Sequence, residues 1–203
     1  MNDRAIATQY SALWSAYGDA LGFITELTDK KGLKWRTGLN RVDHTVKWQR
    51  RIGGRFGLVL DLPVGCYSDD TQLRLATARA INSNGRFDAE SFAKIELTVW
   101  PSYALGAGRA SKAAAANLGR GNVNWFSNFY ETAQTSYLNS GGNGVAMRIQ
   151  PHVWASADLR DYSGLAMEIL RNGICTHGHP RALAGAVLHG WFLAETLRSR
   201  SIP

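Results

Sequence analysis

Apolar residues recur at helical spacing along most of this chain, and glycines gather in the gaps between those stretches. That alternation leaves room for helices joined by permissive loops and little room for a sheet. Ile6, Tyr10, Leu13, Trp14, Tyr17 and Leu21 fall on one face of a helix predicted to end near Gly22. Leu73, Leu75, Ala76 and Ala80 resume the spacing; Phe92, Ile95 and Val99 predict a short helix before Pro101, and Trp125, Phe129 and Ala133 another. Leu159, Tyr162, Leu165, Ala166, Ile169 and Leu170 form an amphipathic stripe closed by Gly173. From Pro180, the run Leu183, Ala186, Val187, Gly190, Trp191, Ala194 and Leu197 is apolar over much of its circumference, which predicts a buried helix. Val59 and Leu60 suit a short strand, but Pro63 and Gly65 interrupt it, and no strand pair is predicted. The class expected is all-α, with residues 1–203 as a single domain large enough for a real core.

The polar signal is strongest at Ser68-Asp69-Asp70-Thr71, directly before the apolar run that starts at Leu73. Two readings stand. Ser or Asp ahead of a helix satisfies orphan N–H groups and complements the helix dipole. Alternatively, two carboxylates and two hydroxyls packed this closely supply the hard oxygen donors that suit Mg²⁺. The glycine clusters Gly53-Gly54, Gly106-Ala107-Gly108, Gly141-Gly142-Asn143-Gly144 and Gly178 fall beside polar motifs. At a helix start, such loops let backbone N–H groups approach a phosphate.

Charge is unevenly spread. The chain carries +7, and the stretch from Asp29 to Asp61 holds nine basic residues against three acids, which is +6 of that total. Trp35 and Trp48 lie within it. Basic residues interleaved with aromatics can hold phosphates and stack bases, so nucleic acid is one expected partner of Lys30–Arg55; a solvated basic loop anchored by two tryptophans is the other reading. Cys66 and Cys175 lack metal-ligand spacing and read as free thiols of a reducing cytoplasm. No apolar run is long enough to span a bilayer, and Met1-Asn2-Asp3-Arg4 opens onto a helical pattern without a signal-peptide segment, so no membrane association is expected.

Four islands occur in order: Gly18-Asp19-Ala20-Leu21-Gly22 followed by Glu26; Tyr67-Ser68-Asp69-Asp70-Thr71-Gln72; Gly141-Gly142-Asn143-Gly144-Val145-Ala146-Met147-Arg148; and Thr176-His177-Gly178-His179-Pro180-Arg181-Ala182. In this order, on an all-α chain, they resemble the ADP-ribosylglycohydrolase family, which includes the dinitrogenase reductase-activating glycohydrolases. The resemblance runs from about Ala7 to the C-terminus and implies a compact orthogonal helical bundle with long glycine-rich loops.

It also implies a chemistry. The family's Thr-Asp-Asp metal triplet falls on Ser68, Asp69 and Asp70, and Ser68 keeps the hydroxyl ligand. Asp69 and Asp70 would act in catalysis with Glu26, which in the family approaches the metal site. Asp19 falls on a supporting position. Gly106, Gly108, Asn139, Ser140, Gly141, Gly142, Asn143 and Gly144 match loops that hold ADP-ribose, Tyr103–Ala114 looks like the ribose-side loop, and His177 matches a residue lying along the nucleotide. His179 is either a second contact or a helix-start histidine bonding its own backbone. The cofactor implied is Mg²⁺ or Mn²⁺, two ions in a complete site. The activity implied is removal of ADP-ribose from a protein side chain or nucleobase, so the partners are ADP-ribose or an ADP-ribosylated macromolecule.

One departure stands out. Family members close the two-metal site with an Asp-x-Asp-Thr motif, and no Asp-x-Asp follows Asp70 in this sequence. The chain reads as the first two-thirds of a family member: a truncation, one half of a split enzyme whose second chain supplies the aspartates, or a nucleotide-binding module with impaired catalysis. On that reading the apolar last helix should leave core surface exposed.

Overall fold

The computed structural model describes residues 3–199. Gln9–Ser68 form one compact unit. Of the other, which runs over Met1–Thr8 and Asp69–Pro203, residues 3–8 and 69–199 are described.

The smaller unit holds most of helix α1 (Asp3–Thr25), helix α2 (Lys30–Thr37) and a two-stranded antiparallel hairpin, β1 (Trp48–Ile52) and β2 (Leu58–Leu62). Asp29 caps α2, its carboxylate accepting from Gly32 N at 2.7 Å, and Gly38 closes the helix in the left-handed region at φ 75°. The unit is pinned by aromatics. Phe23 on α1 meets the Trp48 ring edge-on at 5.1 Å, and the Arg50 guanidinium lies 4.4 Å over Phe23.

Two features here lie outside what the sequence pattern predicts. The stripe Ile6, Tyr10, Leu13, Trp14 and Tyr17 faces outward, with Trp14 66% exposed, and the buried residues of α1 are Ala20, Phe23 and Ile24 in its last turns. A helical stripe identifies an apolar face; it does not say that anything covers it. The strand pair that the sequence pattern did not predict is present, pairing Trp48 with Leu62 through Ile52 with Leu58. Pro63 lies just beyond the ladder, and Gly53 and Gly54 turn the chain at φ 90° and 80°.

The larger unit is helical, as expected. Helix α3 (Asp69–Arg79) leads to a continuous helical run: α4 (Ala89–Ser91), a π-helical turn over Phe92–Glu96, α5 (Leu97–Val99) and a 3₁₀ turn over Trp100–Ser102. Helix α6 (Arg109–Leu118), a 3₁₀ turn (Ala146–Arg148), α7 (Gln150–Ala155), α8 (Tyr162–Ile174) and α9 (Pro180–Ser199) complete it. The main core gathers Leu73, Ala76, Phe87, Phe92, Leu97, Trp100, Leu118 and Cys175. The π-turn places Lys94 so that its ammonium donates to three carbonyls, Leu118 O, Arg120 O and Val123 O, at 2.7–2.9 Å. Those are carbonyls at and beyond the end of α6, where a cation is favoured.

The predicted helix through Trp125, Phe129 and Ala133 is absent. Buried Asn128 is the reason: its amide donates to Ala114 O at 3.2 Å and Cys175 O at 2.7 Å and accepts from Asn117 at 2.9 Å. Side-chain bonds of this kind give irregular backbone an alternative to the helical ladder. Helix α9 is buried on one side only. Ala182, Ala186, Gly190 and Ala194 face the core, and a Cβ on Gly190 would run into Ile169. The bulky Leu188, Trp191 and Phe192 lie on the outer side and are exposed.

Candidate functional site

Helix α3 begins at Asp69, where an N-terminus is expected. Asp69 is buried and Asp70 half-buried. In the smaller unit, the preceding Ser68 is held by Asp19. The Asp19 carboxylate accepts from Ser68 N at 3.2 Å and from its hydroxyl at 2.6 Å. Asp19 thereby orients the residue ahead of the acidic pair. Glu26 is exposed, just past the last residue of α1, and its carbonyl accepts from Arg36 at 2.9 Å.

One turn into α3, Gln72 positions the loop that carries Gly106 and Gly108. Its amide oxygen accepts from Trp100 Nε1 at 3.0 Å and Leu105 N at 3.2 Å, while its amide nitrogen donates to Tyr103 O at 3.1 Å. Gly106 then turns at φ 84°, and Gly108 enters α6 with no side-chain cap. The helix therefore starts with backbone N–H groups that no side chain of the cap residue satisfies.

The loop over residues 139–144 is held from beneath by a fully buried cation. Arg148 Nη1 donates to Gly144 O at 2.7 Å, Nε to Asn172 Oδ1 at 2.7 Å, and Nη2 to Asn172 O at 3.0 Å and Thr176 Oγ1 at 2.8 Å. Its guanidinium also lies 5.2 Å over the Phe92 ring. Every acceptor is a carbonyl or a hydroxyl. Burial lowers the Arg148 pKa to about 10, which leaves it charged at neutral pH.

Thr176 passes the network on. Its hydroxyl receives Arg148 and lies 2.7 Å from His177 Nδ1, which ties the imidazole to the buried cation through one shared hydroxyl. Burial first and Arg148 second push the His177 pKa down to about 3, so the ring is neutral near pH 7. Its other edge lies against Gly144: a Cβ there would sit 2.9 Å from His177 Nε2 and 3.3 Å from Ser111 Oγ. Glycine is what lets α6, the loop and His177 converge.

Ser140 is buried and committed inward, donating to Ser136 O at 2.6 Å and lying 2.7 Å from the Tyr130 hydroxyl. Asn139, Gly142 and Asn143 are exposed. Arg181 Nε donates to Gly141 O at 3.0 Å, and His179 Nδ1 accepts from Arg181 N at 3.1 Å, the local helix-start arrangement of the two considered for it. Gln72, Ser111 and Arg148 lie within the sequence motifs, but their positioning roles do not show there. A polar residue that becomes buried leaves no mark on local periodicity.

The donor set sets a limit on metal binding. Among the described residues, no group of three or more His, Cys, Asp or Glu side chains gathers where it could hold a metal ion. Two adjacent carboxylates and a hydroxyl fit one hard cation that keeps several waters, and fall short of a pair.

Comparison with known proteins now decides the lineage. Residues 9–203 match the family model described as ADP-ribosylglycohydrolase. The chain belongs to the ADP-ribosylglycohydrolase family. It is 26% identical over 204 residues to the ADP-ribosyl-[dinitrogen reductase] glycohydrolase of Rhodospirillum rubrum, a match covering 100% of this chain and 60% of that protein. A solved structure described as an ADP-ribosylglycohydrolase-related protein complex superposes with a TM-score of 0.62 at 22% identity, covering 98% of this chain and 58% of its own. The fold is thus that of the family, and the chain spans about 60% of the length of the curated relative it matches. Among the described residues, no helix is long and apolar enough to cross a membrane.

Proposed function

We propose that this family member binds ADP-ribose on the glycine loop of residues 141–144 and takes part in metal-assisted removal of ADP-ribose from a protein side chain or a nucleobase. The observation that carries the reading is the convergence of Gly144, the uncapped start of α6 and the neutral imidazole edge of His177. Backbone N–H groups beside a neutral polar ring suit a diphosphate and a ribose.

In the hydrolysis, the bond from ribose C1″ to the acceptor breaks, a water oxygen takes its place, and the acceptor leaves with a proton. Asp69 and Asp70, with the Ser68 hydroxyl, would hold Mg²⁺ or Mn²⁺. Such a cation supplies charge stabilisation and a more acidic water. Glu26, which the resemblance places in gating or catalysis, is a carboxylate able to take or deliver a proton. The two free cysteines agree with a cytoplasmic setting.

The test is a calorimetric titration. ADP-ribose should bind the wild type. Gly142→Val should weaken that binding while leaving stability within about 0.5 kcal/mol, because a Cβ at Gly142 meets nothing within 4 Å. Equal affinity in the two proteins would remove the loop from the site. Asp69→Ala and Asp70→Ala should abolish most Mg²⁺ or Mn²⁺ binding, and chelation should do the same for any turnover.

A second reading, a binding module with little turnover, is favoured by the sparse donor set. It predicts ADP-ribose binding with slow or no release from arginine-, serine- or DNA-linked substrates; one half of a split enzyme would differ by gaining turnover when a polypeptide carrying Asp-x-Asp-Thr is added. Robust turnover by this chain alone, lost in Asp70→Ala, would reject it.

A further inference from the structure

The smaller unit carries nine basic residues against five acids, a balance of +4, and its acids do not neutralise its cations. Asp29 is spent on Gly32 N at 2.7 Å, Asp43 pairs with His44 at 2.7 Å, and Asp61 accepts from Gln49 at 3.0 Å. Lys30, Lys31 and Lys34 on α2, then Arg41, Lys47 and Arg55, are all exposed, and none has an ion-pair partner among the described residues. An excess of like charge raises the energy of the folded unit, and a polyanion relieves that.

The aromatics give the surface a second property. Arg51 lies 5.4 Å over the Trp35 ring, which ties β1 to α2. Its guanidinium also donates back to Arg55 O at 3.2 Å and Gly57 O at 3.3 Å, which holds the hairpin tip in shape. At that tip Phe56 is 93% exposed, with Arg55 over its ring at 5.6 Å. Trp35 is 45% exposed. Two exposed rings, each beside an arginine and set among free lysines, combine backbone neutralisation with base-stacking platforms. An acidic peptide would use the cations and leave the rings idle. An anionic membrane would use the tip and leave Trp35 and the α2 lysines without a clear role.

We infer that α2 and the β1–β2 hairpin form a binding surface for single-stranded nucleic acid, gripped by Lys30, Lys31, Lys34, Arg41, Lys47 and Arg55 and stacked on Phe56 and Trp35. The surface does not depend on the ADP-ribose reading, and its sequence preference is weak because every base offers a ring face.

Fluorescence anisotropy with labelled 20-nucleotide single strands, DNA and RNA, tests this with the full chain. Binding should fall at least tenfold between 50 and 200 mM salt. The triple variant Lys30→Ala, Lys31→Ala, Lys34→Ala should reduce the slope of log affinity against log salt by about 2, since each phosphate contact to a single strand contributes about 0.7. Phe56→Ala, at a position too exposed to disturb folding, should weaken binding about 5- to 150-fold, the range for loss of one stacked base. Duplex DNA of the same length should bind more weakly than either single strand. Four results would overturn the inference: no binding at 50 mM salt, equal binding by Phe56→Ala, duplex preferred over single strand, or stronger binding to polyglutamate or phosphatidylserine vesicles than to the oligonucleotides.

Discussion

The loop over residues 139–144 and the hairpin over residues 48–62 both hold arginines against aromatic rings, and they use them in opposite ways. Beneath the loop, Arg148 is fully buried, and its hydrogen bonds end on Gly144, Asn172 and Thr176. In the hairpin, Arg51 and Arg55 stay at the surface, stacked on Trp35 and Phe56. The first arrangement fixes a backbone in one geometry, because each buried acceptor depends on the same cation. The second leaves charge and ring faces available to a partner. Burial separates Arg148, whose donors all end inside the protein, from Arg55, whose charge stays at the surface.

The comparison breaks most sharply at Arg148. Arg148→Met should destabilise the protein by about 3–5 kcal/mol, the range for removing one partner from a buried charged network. Urea denaturation showing a loss below about 1 kcal/mol would mean that the loop is held by something else. The matching change in the hairpin, Arg55→Met, should stay within about 0.5 kcal/mol.

Acid should sharpen the same contrast. Burial, then Arg148, pushes the pKa values of both His152 and His177 down to about 3. His152 packs edge-on against Phe87 at 4.9 Å, and its buried Nε2 has no hydrogen-bond partner among the described residues. Both rings are neutral when folded, whereas the unfolded chain takes up their protons near pH 6.5. Stability is therefore present in full above pH 6.5 and lost as pH falls from there toward 3. Each histidine contributes about 1.4 kcal/mol per pH unit within that window. Denaturant titrations at pH 7 and pH 5 measure the slope, to which His189, its pKa also lowered by burial and then by Arg74, adds; His152→Phe should remove about 1.4 kcal/mol per pH unit of it. A slope unchanged by that substitution would show that His152 is not the group responsible.

A smaller effect lies at Gly178, where a Cβ would run into the Tyr137 ring, whose hydroxyl donates to Ile174 O at 3.0 Å. Gly178→Ala should cost about 1–3 kcal/mol, as overpacking does. Gly142→Ala, in open space, should cost almost nothing, and differential scanning of the pair separates the glycines that shape the loop from those that leave room on it. The smallest effect belongs to Phe56→Ala, expected to leave the melting temperature unchanged.

What the sequence made legible follows the same division. The start of α3 at Asp69, the stripe of α8 behind its Asp161 cap and the start of α9 at Pro180 are local features, carried by capping residues and periodicity. The Asp-Asp pair and the glycine loops stood out for the same reason. The irregular path past Trp125 did not, because Asn128 reaches backbone carbonyls at Ala114 and Cys175, far from it in sequence. The hairpin was hidden because the apolar β2 pairs with β1, whose Gln49, Arg50 and Arg51 give no strand pattern of their own, and the pairing depends on contacts across the turn. The Gly53-Gly54 pair was the available signal. The outward exposure of the α1 stripe was not legible because an amphipathic stripe records only what a helix could bury.

Arg148 has one more consequence. Its hydrogen-bond partners inside the unit are dipoles, and among the described residues no carboxylate bonds to it, so its charge has no hydrogen-bonded counter-ion. A charge held in a poorly polarisable interior is screened little, and salt in the solvent cannot reach it. Its attraction extends to the nearest polar edge, which Gly144 and His177 form. A ligand carrying negative charge would arrive there as the missing counter-ion, and its affinity should fall off with ionic strength more gently than binding to an exposed lysine would.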